Sequence, residues 1–175
     1  MRSILAVLSI VVVAGVGVAR AAEMLQPGAP FPAWELEDHT GANLTSRDLA
    51  GRSYLLWFYP KAMTPGCTAE GDALRDHFAA FQARGVEVLG VSFDAPADNA
   101  TFVREQAFPF RLLSDRDHRL AIAVGAATDA SQAVARRVSY LVGADGKVVK
   151  TYPQVTPADH AEQVLGDLGA KAPRP

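Results

Sequence analysis

The stretch SYLLWFY, Ser53 to Tyr59, constrains the fold more than any other part of the chain. A nearly unbroken apolar run of aromatic and branched side chains predicts a buried central strand. The residues after it narrow the choice. Ala69, Ala73, Leu74, Phe78 and Phe81 recur at helical spacing through Ala69–Arg84, and Gly85 supplies a stop. VEVLGVSF, Val86 to Phe93, predicts a second strand rich in β-branched residues. Pro96 to Ala107 follows as a helix on its Phe102–Val103 stripe, FRLL (Phe110–Leu113) as a short strand, and Asp117 to Val124 as a short helix ended by Gly125. VSYLV (Val138–Val142) and KVVKTY (Lys147–Tyr152) flank a Gly-Ala-Asp-Gly turn and predict a hairpin. Thr156-Pro157 opens a last helix running to Leu168, with Thr as the cap and Pro in the first helical position. Pro27, Pro30 and Pro32 predict an extended lead-in. Strand, helix, strand, helix, then a hairpin and a terminal helix give an α/β architecture: a central mixed β-sheet flanked by helices. Periodicity alone does not choose among the small α/β folds.

Residues 1–21 stand apart. Arg2 gives a positive start, Ile4 to Val18 is almost wholly apolar, and Ala19-Arg20-Ala21 forms an A-x-A cleavage pattern before Ala22. Together they predict a secretory signal peptide and a destination across an inner membrane, in a bacterial periplasm. The run is shorter than the ~20 residues of a comfortable membrane span, so no stable membrane insertion is expected after cleavage; an uncleaved anchor is the alternative. Residues 22–170 then make one domain, and 171–175 a flexible tail. Removal of Arg2 and Arg20 takes seventeen basic residues to fifteen, against nineteen acidic ones, a formal charge of −4. That balance offers no basic footprint for nucleic acid. One cysteine in an exported chain cannot form an internal disulfide, so it is a free thiol or half of an intermolecular bond.

That cysteine, Cys67, lies at the seam between the apolar strand and the amphipathic helix, in FYPKAMTPGCTAEGD. Thr64-Pro65 is a second cap-and-proline signal and places Cys67 third in its helix, among backbone N–H groups that lack intrahelical partners. A thiolate there is stabilised; a helix N-terminus with a nearby cation lowers a cysteine pKa from ~8.5 to ~3.5–7.5. Such tuning has limits. A shift to ~6 raises the thiolate fraction at pH 7 roughly thirtyfold, and the accompanying loss of nucleophilicity removes about tenfold of that. A fast catalyst must therefore also hold the other reactant in line and stabilise the charge on its leaving atom. This calls for a hydroxyl, for which Thr64 is the local candidate, and a fixed cation near the sulfur.

The motif Pro60-x-x-x-Thr64-x-x-Cys67 resembles the peroxidatic-cysteine motif of peroxiredoxins, in wording nearest the bacterioferritin-comigratory-protein subfamily. The likeness continues through PFPAWELEDHTG, GVEVLGVSFD, FRLLSD and RRVSYLVGADGKV, over roughly residues 26–168. It implies a thioredoxin-like fold and a thioredoxin-dependent, peroxiredoxin-type peroxidase for hydrogen peroxide and organic hydroperoxides, with no cofactor and no metal. By position Cys67 would be the nucleophile, Thr64 would hydrogen-bond the sulfur and the peroxide, and Pro60 would shield the site from water. Arg137 would stabilise the thiolate and the departing oxygen, and Glu70 would orient that arginine. Many members of the subfamily carry a resolving cysteine five residues after the first, where this chain has Asp72. The cycle would then end on an external thiol, a thioredoxin-like protein or a low-molecular-weight one. The segment Ala126–Ala135 is also shorter than its usual counterpart.

Plainer readings stand beside these. A lone cysteine is most often a core filler, Glu70 suits a helix start as any carboxylate does, and Arg137 reads beside Arg136 as a second surface charge. His39, His77, His118 and His160 are scattered and suit solvated or capping roles, Met24 and Met63 form no soft-metal cluster, and Trp34, Trp57 and Phe58 suit a core. An exported thioredoxin-like sensor or thiol relay is the alternative function. A copper carrier on that scaffold would need a Cys-x-x-x-Cys pair that is absent here.

Overall fold

Both faces of the central strand are covered, which explains its lack of polar alternation. The computed structural model describes residues 23–170; the expected signal peptide and tail lie outside them. Seven strands build one sheet among the described residues: β1 (Glu35–Asp38), β2 (Asn43–Thr45), β3 (Ser53–Phe58), β4 (Val86–Ser92), β5 (Arg111–Ser114), β6 (Val138–Val142) and β7 (Val148–Tyr152). Their order is β2-β1-β5-β4-β3-β6-β7. β3, β4 and β5 run parallel, while β1 joins β5, and β6 joins β3, in antiparallel register, so the sheet is mixed. The helices are α1 (Pro65–Asp76), α2 (Phe78–Gln82), α3 (Pro96–Gln106), α4 (Arg119–Ala123) and α5 (His160–Ala170), the last preceded by a 3₁₀ turn over Pro157–Asp159.

Along β3 the side chains alternate between two cores. Tyr54, Leu56 and Phe58 pack with Trp34, Leu89, Val91 and Tyr140, under α4 and the lead-in segment. Leu55 and Trp57, with Tyr59 just beyond, pack with Leu74, Phe81, Phe102 and Leu141, under the other helices. Leu55, Leu56 and Phe58 are fully buried, each worth about 1.5–3 kcal/mol relative to exposure. Gly71 lets α1 settle onto this second core: a Cβ there would stand 2.3 Å from Phe108 Cζ.

Three local departures from sequence expectation have physical causes. The single helix expected over Ala69–Arg84 is two, broken at His77 (φ −101°, ψ 6°), whose Nδ1 bonds the Ala73 carbonyl at 2.9 Å. The break turns Phe81 into the core and sets Phe78 beside Phe110. The hairpin β1–β2 was not expected at all. Its strands are too short for a periodic signal, and its turn is held by Asp38 Oδ1, which accepts from the Thr40 N–H (2.8 Å) and hydroxyl (2.6 Å). α4 starts at Arg119 rather than Asp117 because His118 is left-handed (φ 60°) and Asp115 takes the Ala121 N–H at 2.7 Å.

Candidate active site

Strand register assembles the site. β6 runs antiparallel to β3 with Val138 opposite Phe58, so Arg137, one residue before β6, arrives where the chain leaves β3 and turns into α1. Between them Tyr59 still donates to the Val91 carbonyl at 3.0 Å. The loop 60–64 is then pinned by Asp94 Oδ2, which accepts the Ala62 N–H at 2.8 Å. Met63 adopts φ 62° and is nearly half exposed, a backbone conformation that costs a bulky residue about 1 kcal/mol or more.

α1 begins at Pro65, with Thr64 extended before it (φ −89°, ψ 149°). Cys67 is third in the helix, as expected, and its side chain has no exposed surface. The expected side-chain cap is not formed. Thr64 Oγ1 donates instead to the Lys61 carbonyl at 2.9 Å, because the turn at Met63 folds that carbonyl back toward it. The hydroxyl's proton is thus not given to the sulfur, contrary to expectation, and its oxygen keeps acceptor capacity. Thr156, in the matching signal, makes no side-chain cap either.

Arg137 gathers the first two turns of α1. Nη2 donates to Cys67 Sγ at 3.3 Å, and Nη1 donates to the Gly66 carbonyl at 3.4 Å and to Glu70 Oε2 in a short ion pair. Gly66 is part of this arrangement, since a Cβ there would lie 3.1 Å from Nη2. Nothing local marks that glycine beyond its place before the cysteine. The neighbouring Arg136 faces elsewhere, with Nη1 on the Gly125 carbonyl at 3.0 Å.

Glu70, sixth in α1, lies beyond its first turn, so the helix-start role open to a carboxylate there does not apply. It is fully buried, Oε1 has no partner, and burial pushes its pKa up to about 7 against the opposing pull of Arg137. Arg137 remains firmly charged: burial opposes its charge, and the hydrogen bonds to Cys67 and Glu70 more than compensate. His160, expected to be solvated or capping, is also fully buried, with Nε2 on Ser139 Oγ at 2.9 Å. Burial, partly offset by Gln163 and assisted by Arg137, holds its pKa down to about 4. Pro60 is half-buried and borders a pocket of about 200 Å³ with Phe93, Asp94 and Val134. Asp72, five residues after Cys67, accepts from Arg75 Nη1 at 2.6 Å, and the same nitrogen donates to the Gln106 carbonyl at 2.9 Å. α1 is thereby tied to the end of α3.

Glu70 and His160 pull stability in opposite directions with pH. The folded state holds an extra proton on Glu70 between about 4.5 and 7, so that contribution is lost as pH rises through the window. It holds one fewer on His160 between about 4 and 6.5, so that contribution is lost as pH falls. The slopes oppose each other where the windows overlap. Glu70→Gln is expected to make urea stability climb with pH there relative to the parent, by up to ~1.4 kcal/mol per pH unit. His160→Gln should produce the reverse tilt. Urea midpoints across that interval check both signs.

The AhpC/TSA family matches residues 27–151 of the chain. Over 149 residues the chain is 35% identical to Peroxiredoxin Bcp of Escherichia coli K12, covering 82% of this chain and 96% of that protein. Among solved structures it resembles Peroxidoxin BcpB from Mycobacterium tuberculosis, with a TM-score of 0.79, 28% identity, and 86% and 100% of the two chains covered. It also resembles the bacterioferritin comigratory protein of Xanthomonas campestris, at a TM-score of 0.74, 32% identity, and coverages of 85% and 98%.

Proposed function

The chain belongs to the AhpC/TSA family as a Bcp-type peroxiredoxin, a thiol-dependent peroxidase of thioredoxin-like fold, and we propose that Cys67 is its nucleophile. One observation carries the assignment: the only thiol of the chain sits in a helix first turn, 3.3 Å from a guanidinium nitrogen that a second element delivers. A packing cysteine needs no such partner.

The roles follow from where each group's bonding capacity is left over. Cys67 attacks one oxygen of the peroxide; the S–O bond forms, the O–O bond breaks, and the other oxygen leaves as water or alcohol once protonated. Arg137 balances the sulfur's charge and then the charge on the leaving oxygen. Thr64 has committed its proton to Lys61 and so can accept the peroxide's O–H. Pro60 removes an N–H and fixes the backbone at the start of the loop that leads into α1. Hydrogen peroxide and organic hydroperoxides are the substrate class. With one cysteine, the sulfenic acid is cleared by external thiols: the first displaces water to form a mixed disulfide, and the second releases Cys67. A thioredoxin-like protein and a low-molecular-weight thiol both supply that chemistry. The sensor reading is not favoured, because the likeness to peroxidases runs along the domain rather than through one motif.

Arg2, the apolar run and Ala19-Arg20-Ala21 support export to a periplasm with cleavage before Ala22. Intact mass of the exported protein, taken before and after one equivalent of peroxide, tests both parts. The expected results are a chain starting at Ala22 and a gain of one oxygen that thiol removes. A chain that retains residues 1–21 overturns cleavage before Ala22, and a chain that gains no oxygen overturns the peroxidatic role.

A further inference from the structure

Around the nucleophile one cation serves two acids. Arg137 donates to Cys67 Sγ through Nη2 and to Glu70 Oε2 through Nη1, and both acids are fully buried. The other titratable groups of the cluster bring no second positive charge. His160 on α5 is held neutral, and Tyr59 beyond β3, its hydroxyl given to Asn99 at 2.6 Å, is pushed well above its ordinary value by burial. Two buried anions beside a single guanidinium would leave one of them uncompensated, and a buried uncompensated charge takes up a proton instead. Glu70 has the vacancy for it: Oε1 is buried and accepts nothing.

Resting on the assignment of Cys67 as nucleophile, we infer that Glu70 is a positioning residue that competes with the sulfur for Arg137 and gives up its proton when the sulfur is oxidised. In the form that attacks, the sulfur is the anion a nucleophile requires, Arg137 is a cation and Glu70 is a neutral acid. Attack oxidises the sulfur by two electrons and reduces the peroxide by two. The sulfur becomes a neutral sulfenic acid and the departing oxygen needs one proton. Arg137, released from an anionic partner, now pairs fully with Glu70, which ionises. The sum is thiolate plus hydroperoxide plus carboxylic acid, giving sulfenic acid plus alcohol plus carboxylate. Buried charge is the same before and after, so the step avoids leaving a lone cation in the core. Reduction by two thiols yields a disulfide, water and the Cys67 thiol, whose proton passes back to Glu70. Glu70 acts through Arg137 and need not touch the peroxide.

The balance makes a measurable demand. In weak buffer at about pH 6.5, below the value of about 7 at which Glu70 titrates, the wild-type protein treated with one equivalent of hydrogen peroxide should take up close to no proton from solution. Glu70→Gln keeps an acceptor for Nη1 but carries no proton to give, so its oxidation should draw about one proton per chain. Infrared difference spectra should show a carboxylic-acid C=O band lost and a carboxylate band gained in the wild type, with neither change in Glu70→Gln. Equal proton uptake by the two proteins, or no carboxyl change in the wild type, overturns the inference while Cys67 still oxidises. Failure of Cys67 to oxidise at all overturns the functional assignment instead.

Discussion

Cys67→Ser is expected to stop peroxide turnover, with a loss on the order of 10⁴-fold or more in the peroxide- and thiol-dependent rate. The chain has no second thiol to take over, and a serine hydroxyl in this position has no adjacent base: the nearest side-chain partner is a guanidinium, which only donates. The same partner protects the fold. Arg137 Nη2 keeps an oxygen to bond in place of the sulfur, and the cluster of Leu74, Phe81 and Tyr59 around the site is unchanged in volume to within an atom. Thermal melting should therefore move little while peroxide consumption falls to the buffer rate. Turnover persisting in the variant would show that the sulfur is not the reacting atom.

Arg137→Leu should cost less in rate and more in structure. Removing one preorganised donor from a developing oxyanion costs about 10²–10³-fold, and Arg137 also steadies the sulfur anion before attack, so a loss of roughly 10³-fold in the second-order rate of Cys67 oxidation is expected. Stopped-flow tryptophan fluorescence can follow it, since Trp57 lies in the same core cluster as Cys67. Arg137→Lys should recover no more than about tenfold, because one ammonium lacks the two-nitrogen fork that holds the sulfur and Glu70 together. Stability should carry a pH signature too. Without its cation Glu70 stays protonated, so Arg137→Leu should compare best with the parent in mild acid and fall further behind as pH rises past neutrality. A variant as fast as the parent would remove Arg137 from the mechanism.

The sequence carried five of the seven strands and the helix-start thiol because those signals are local. SYLLWFY is apolar on both faces for a reason visible in seven letters, and Thr-Pro-Gly-Cys places a thiol in a helix first turn by itself. Arg137 is another matter. It lies seventy residues from Cys67 beside a second arginine, and only the pairing of Val138 with Phe58 decides which of the two reaches the sulfur. The resemblance identified it; local pattern did not. Glu70 reads locally as a helix-start acid, yet it is sixth in α1 and buried, a burial that depends on Arg137 and on elements packed around α1. The Thr64 cap failed for a related reason: a left-handed Met63, which no propensity anticipates, brings the Lys61 carbonyl within reach of the hydroxyl first. His77 and the β1–β2 turn repeat the lesson, each decided by a side chain bonding a backbone group four or fewer residues away.

The complete enclosure of the Cys67 sulfur sets the terms for whatever restores it. A thiol must come up behind the S–O bond, and a sulfur with no exposed surface admits none until the atoms around it part. The loop leading into α1 is tethered by the Ala62 bond to Asp94 and the Thr64 bond to Lys61, so any parting there has those two bonds to break. Arg75 ties the far end of α1 to α3, and however the enclosure opens, the frequency of opening caps the frequency of repair.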